Sequence, residues 1–124
     1  MIVGIGVDIV EIRRIKSAIE RNSNFIRKIL SDEELEFMAK KPINFQYIAG
    51  RFAAKEAISK ALGTGFRQFG LKDLVILNDE LGKPMVTLKE KANEVAKKHG
   101  QYKIHLSISH GEDNAVAYAI LEVN

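Results

Sequence analysis

The opening residues, "MIVGIGVDIV", alternate along the chain. Val3, Ile5, Val7 and Ile9 share one face of an extended segment, and Gly4, Gly6 and Asp8 share the other. The pattern predicts a strand whose second face the glycines leave bare, so that a helix, another backbone or a ligand can come close beside Asp8. The period then changes. In "EIRRIKSAIER" the isoleucines 12, 15 and 19 recur at helical spacing, with Arg13, Arg14, Lys16 and Arg21 away from that stripe. Phe25, Ile26, Ile29 and Leu30 predict a second, short helix. A third opens at Ser31, with Glu34 at the capping-box position, and is closed by Pro42. The longest helix is predicted over 44–62 and stops at Gly63-Thr64-Gly65.

Strands dominate the second half. "LVIL" at 74–77 and "MVTL" at 85–88 read as strands joined by the turn-rich "NDELGKP". Residues 89–99 read as a short helix with Gly100 as its C-cap. In "YKIHLSIS", Ile104, Leu106 and Ile108 face one way and His105, Ser107 and Ser109 the other. His110 begins the turn "HGEDN", and "AVAYAILEV" is the returning strand. No repeat, low-complexity tract or linker interrupts the chain. The expectation is a single compact α+β domain over 1–124, an N-terminal strand and helices followed by antiparallel strands.

Composition narrows the function classes. At 46% hydrophobic and 28% charged residues the chain is ordinary for a globular protein able to bury a core. The absence of cysteine excludes disulfides, thiolate chemistry and zinc–cysteine sites, and fits a cytoplasmic setting. No apolar run approaches spanning length, the N-terminal stretch lacks the basic flank of a signal peptide, and Asp8 interrupts it, so no membrane insertion is expected. A net charge of +3 points towards anionic partners. With 7% aromatic residues, no tryptophan and no recognition-motif signature, nucleic acid is not the expected one.

The chemistry concentrates in "GRFAAKEAISKALGTG", residues 50–65, where Glu56 stands among Arg51, Lys55 and Lys60. Glu56 and Lys60 are four apart, the spacing of a surface ion pair worth roughly a few tenths of a kcal/mol. Alternatively Glu56 is one ligand of Mg²⁺, with a second carboxylate from elsewhere and the three cations neutralising phosphates. Asp8 supplies that second carboxylate, or else it caps the helix that follows. His105, Ser107 and Ser109 lack the elbow of a serine hydrolase and read as a polar strand face or as nucleotide contacts. Arg14 and Arg21, seven apart, share a helix side that is either solvated or a dock for an acidic helix. Gly63 to Gly65 is a helix stop, or a source of backbone N–H groups for a phosphate.

Taken in order, "GIGVDIVEI", Arg51 with "FAAKEAISKALGTG", "GKP" and "HLSISH" resemble the holo-acyl-carrier-protein synthase family, the small bacterial 4′-phosphopantetheinyl transferases. The resemblance spans nearly the whole chain. It implies transfer of phosphopantetheine from coenzyme A to a serine of apo-acyl carrier protein, in fatty acid biosynthesis, with release of adenosine 3′,5′-bisphosphate. By that likeness Asp8 and Glu56 hold Mg²⁺, and Lys60 contacts phosphate and assists the departing group. Arg51, Gly63, the turn Gly82-Lys83-Pro84, His105 and Ser109 fall to coenzyme A, and Arg14 and Arg21 to the acidic helix of the carrier protein. Members of the family are typically trimers with active sites between subunits, so a homotrimer is implied here. The serine proton passes to Glu56 directly or through a metal-bound water, and both routes stay open. The rival expectation is a non-catalytic module that binds a nucleotide or an acidic protein on the same basic face without needing Asp8 or Glu56.

Overall fold

The computed structural model describes residues 1–124. In chain order they form β1 (Ile2–Glu11), α1 (Ile12–Arg21), α2 (Phe25–Ile29), α3 (Asp32–Met38), α4 (Phe45–Leu62), β2 (Leu74–Asn78), β3 (Pro84–Leu88), α5 (Glu90–Lys97), β4 (Tyr102–His110) and β5 (Asn114–Val123). A 3-10 turn at Leu71–Asp73 leads into β2. The elements match those the periodicity predicts, an α+β domain with two antiparallel sheets, β1-β5-β4 and β2-β3. Boundaries differ at three places: α5 ends at Lys97 with Lys98 rather than Gly100 as its cap, β4 runs on through His110, and α3 stops early. Helix α3 ends at Met38, where the Lys41 N–H turns back to the Met38 carbonyl, so Pro42 lies beyond the helix instead of closing it.

Helix α4 lies across the three-stranded sheet, touching all three of its strands. Twelve of its 18 residues are buried, so its apolar positions surround it rather than form a stripe. Its alanines 53, 57 and 61 join Ala117, Ala119 and Leu121 of β5 in the main core. Against β1 the approach is closer still. A Cβ added to Gly4 would lie 1.8 Å from the Ala61 carbonyl oxygen, and one on Gly6 1.9 Å from that of Ala57. Only glycine fits there.

This contact inverts the usual logic of a half-buried strand. The glycine face of β1 is the inner one, and the apolar face looks outward. Val3, Ile5, Val7 and Ile9 are exposed, as are Val116 and Tyr118 on β5. The register sets Ile5 opposite Ile120, Val7 opposite Tyr118 and Ile9 opposite Val116, so the exposed apolar groups form one continuous surface.

On its other side α4 is covered by α1, α2 and α3. Ile12, Ile15 and Ile19 of α1 pack with Ile29, Leu30, Ile48 and Ala49 in a second core. Here the structure corrects one expectation. Lys55 does not face a phosphate. It is fully buried, with Nζ donating to Glu34 Oε1 at 2.5 Å and to the Ile29 carbonyl at 2.7 Å. Glu34 completes the capping box of α3, accepting from Ser31 N–H at 2.8 Å, while its other oxygen accepts from Ile76 N–H at 2.8 Å. An ion so enclosed has no path to an outside ligand, and its charge is met within the core.

Candidate active site

Because α4 rests on the glycine face of β1, the next residue of that face, Asp8, is carried to the flank of the helix. It does not cap α1: the cap position is Glu11, and Asp8 lies inside the strand. Instead Asp8 meets Lys60, whose Nζ donates to the Val7 carbonyl at 2.9 Å and stands 3.3 Å from Asp8 Oδ1. Lys60 is thus turned to β1, and it forms no ion pair with Glu56 despite their helical spacing. Glu56 is partly buried, and this desolvation raises its pKa above the ordinary carboxylate value. The Asp8 carboxylate adds to the rise, and the Lys60 ammonium opposes it. Asp8, far from Glu56 and Lys60 in sequence, shares one electrostatic site with them.

That donor set fits a hard divalent cation. It offers carboxylate oxygens and no sulfur, and no three His, Cys, Asp or Glu side chains in the molecule come together as a closed metal cage. A cation held by two carboxylates keeps open positions for water and phosphate oxygens, the habit of Mg²⁺. Gly63, at the end of the same helix, is the helix stop, one of the two readings its sequence leaves open. Its φ of 83° ends α4, and its N–H is already spent on the Ser59 and Lys60 carbonyls. The N–H groups of Thr64 and Gly65 make no backbone hydrogen bond and remain available to an anion.

A second cluster lines a cleft of about 320 Å³ between the N-terminal half of α4, the β2–β3 turn and the end of β4. Arg51 is its buried centre, donating to Asn78 Oδ1 at 2.9 Å with its guanidinium 4.4 Å from the centre of the Tyr47 ring. Arg51 Nε and the Tyr47 hydroxyl are buried there without hydrogen-bond partners. Orphaned donors around a guanidinium call for an acceptor, and an anionic oxygen is the strongest one. The turn is built to present backbone. Asp79 Oδ1 accepts from Leu81 N–H and Lys83 N–H, both at 2.9 Å, and Gly82 takes a φ of 88°. Gly82 and Pro84 then line the cleft, and Pro84 sits opposite Asn78 in the ladder.

Not every expected residue joins these clusters. His105 lies apart from Arg51, in a separate groove between β3 and β4 that it shares with Lys83 and Pro84. Its Nε2 is 2.8 Å from Glu122 Oε1, a contact that lowers the Glu122 pKa and leaves no serine pair. Ser109 is exposed on the outer sheet face opposite Val116, and it lines neither cavity. The histidine in the Arg51 cleft is His110. Strand alternation carries the signal, because 110 continues the inward series 104, 106, 108. Tyr47 was also legible, four residues before Arg51 on the same helix face. On α1, Arg14 and Arg21 are exposed away from the buried isoleucine stripe, with Arg14 Nε 3.4 Å from Glu11.

Arg51 and Lys60 are nine residues apart, about two and a half helical turns, and so project from opposite sides of α4. The sheet tells the same story: Asp8 belongs to edge strand β1 and His110 to edge strand β4. The cleft that holds Arg51 and His110 does not reach Asp8, Glu56 or Lys60.

Comparison with known proteins agrees with this fold. Residues 4–119 match the model of the 4′-phosphopantetheinyl transferase superfamily. The chain is 58% identical over 124 residues to holo-[acyl-carrier-protein] synthase of Clostridium novyi, covering 100% of this chain and 90% of the relative. Among solved structures it is similar to an acyl carrier protein synthase of Plasmodium yoelii with ADP bound, at 38% identity and a TM-score of 0.92, covering 100% of this chain and 98% of that one. It is also similar to a holo-(acyl-carrier-protein) synthase of Bacillus anthracis in complex with CoA (3′,5′-ADP), at 37% identity and a TM-score of 0.84, covering 100% and 99%. With its fold and its full-length likeness in agreement, the chain is a transferase and belongs to the 4′-phosphopantetheinyl transferase superfamily, among the holo-[acyl-carrier-protein] synthases.

Proposed function

We propose that the protein moves 4′-phosphopantetheine from coenzyme A to a serine of apo-acyl carrier protein, with Mg²⁺ held by Asp8 and Glu56. What supports this reading is Asp8 in contact with Lys60, where α4 presses on the glycine face of β1, and close enough to Glu56 to raise its pKa. The relatives' names and the coenzyme A complex of the Bacillus anthracis structure support the choice of substrates.

In this reading Arg51, Tyr47 and His110 receive the phosphate-bearing nucleotide end of coenzyme A, and the orphaned Arg51 Nε and Tyr47 hydroxyl find their acceptors there. The serine oxygen forms a bond to the β-phosphorus as the bond from that phosphorus to the bridging oxygen breaks, releasing adenosine 3′,5′-bisphosphate. Mg²⁺, when bound, neutralises and polarises the pyrophosphate. Lys60, about half exposed at the mouth of the site, places positive charge where the departing oxygen gains its negative charge. Glu56 takes the serine proton, directly or across one water.

Two features support a homotrimer with composite sites. The outer sheet face, Ile5, Val7, Ile9, Val116 and Tyr118 at its centre, is too apolar and too continuous for a surface left in water. The Asp8–Glu56 cluster and the Arg51 cleft lie at opposite edges of the sheet, so one coenzyme A reaches both when the clusters come from neighbouring protomers. The exposed arginines 14 and 21 of α1 meet the acidic helix of the carrier. We place the reaction in cytoplasmic fatty acid biosynthesis, a setting in keeping with the cysteine-free chain. No helix is long and apolar enough to cross a membrane.

The test is the intact mass of apo-acyl carrier protein after incubation with the protein, coenzyme A and Mg²⁺. A gain of one phosphopantetheine, abolished by chelation, is expected. An unmodified carrier from a folded enzyme, across several carriers, would remove the reading.

A further inference from the structure

We propose that the buried Glu34–Lys55 pair is a positioning device for the Arg51 cleft, locking the β2–β3 hairpin against α4 and so setting the distance between the two walls that receive the nucleotide. The inference rests on the reading of that cleft given above. Both side chains are fully buried, and neither touches the cleft they govern. Their bonds form a closed circuit. Lys55 on α4 donates to Glu34, and Glu34 accepts from the Ile76 amide of β2 at 2.8 Å. Two residues further along β2, Asn78 accepts from Arg51 at 2.9 Å, and Arg51 lies one turn before Lys55 on α4. The hairpin is therefore held to the helix at two points one turn apart, one in the core and one in the cleft. The same carboxylate ties down Ser31 N–H, and the same ammonium the Ile29 carbonyl.

Stability alone gives no reason for ions in this place. Apolar groups of similar volume commonly hold a core as well as a buried pair, or better. A directional bond to a strand amide does something apolar packing does not: it fixes where along α4 the strand sits. Gly82 and Pro84, the opposite wall of the cleft, follow β2 through its ladder, in which Asn78 faces Pro84.

The test combines Lys55→Met with Glu34→Met, so that no lone charge is left buried. A methionine at position 34 offers Ile76 N–H no strong acceptor, so the link to β2 is lost. Calorimetric affinity for adenosine 3′,5′-bisphosphate is expected to fall about tenfold, and KM for coenzyme A to rise to match, while kcat and KM for the carrier change less than about twofold. Unchanged nucleotide affinity in the folded variant, or a joint fall in every parameter, would overturn the proposal. Should the variant not fold, the unaltered protein decides. By reciprocal linkage, adenosine 3′,5′-bisphosphate must slow hydrogen exchange at the Ile76 amide. Exchange there that is indifferent to a bound nucleotide would overturn the proposal equally. Failure of the unaltered protein to bind the bisphosphate at all is a separate result, and it would remove the reading of the cleft on which the proposal stands.

Discussion

Glu56 answers two opposed demands. Its charge is costly where it sits, half-buried beside Asp8, yet a cation site needs that charge. The sign of the consequence follows from linkage. A carboxyl whose folded pKa is raised prefers to be protonated in the fold, so its ionised form lowers stability. That penalty is absent below the ordinary glutamate range and complete above the raised folded value. Glu56→Gln should therefore raise the melting temperature of the metal-free protein at neutral pH and leave it unchanged in acid, read by thermal melts in chelator across that range. The same substitution should lower transfer at least about a hundredfold, the scale of losing one preorganised charge contact. At this scale the sequence offered the right acids and left each with a bland alternative. Asp8 as a helix cap and Glu56 as an ion-pair partner were excluded only by geometry, since Lys60 bridges to β1. His110 was readable from strand phase. Grouping it with the turn concealed its place in the Arg51 cleft.

Among the elements, the contact of β1 with α4 decides most. Gly6→Ala would set a methyl group 1.9 Å from a helix carbonyl oxygen that packed alanines cannot let retreat. Overpacking of this kind costs about 3 kcal/mol at its upper range, and that loss is the expected result in urea unfolding. Surviving protein should also lose cation-dependent transfer, because Asp8 is displaced with its strand. Helix α1 acts in a different currency. Arg14→Glu with Arg21→Glu should raise KM for the carrier at least about tenfold while leaving KM for coenzyme A unchanged, and added salt should narrow the gap from wild type, as steady-state kinetics would record. The bare glycine face was legible from alternation, and so was the stop of α4 at Gly63. The burial of Lys55 was not. A charged residue on a helix reads as solvated until the elements that cover it are placed, and here α2, α3 and β2 come from distant segments.

The whole molecule exposes on one sheet face the apolar groups a strand normally hides. If the proposed trimer forms through that face, Tyr118→Asp with Ile5→Asp, both on it, should give a monomer in sedimentation while circular dichroism stays native. Transfer should be lost with assembly, since each chain alone keeps the two halves of the site at opposite sheet edges. Alternation showed which residues share that face, but it gave no direction to the sheet, because only the close approach of α4 makes the glycine side the inner one.

The most direct measurement is a titration of Mn²⁺, a paramagnetic substitute for Mg²⁺, followed by the resonance of the free ion in the presence of coenzyme A. Asp8 and Glu56 acting together predict one ion bound per wild-type chain and strongly weakened binding in Asp8→Asn and in Glu56→Gln, with both variants folded. Binding as tight as wild type in either variant would contradict the account.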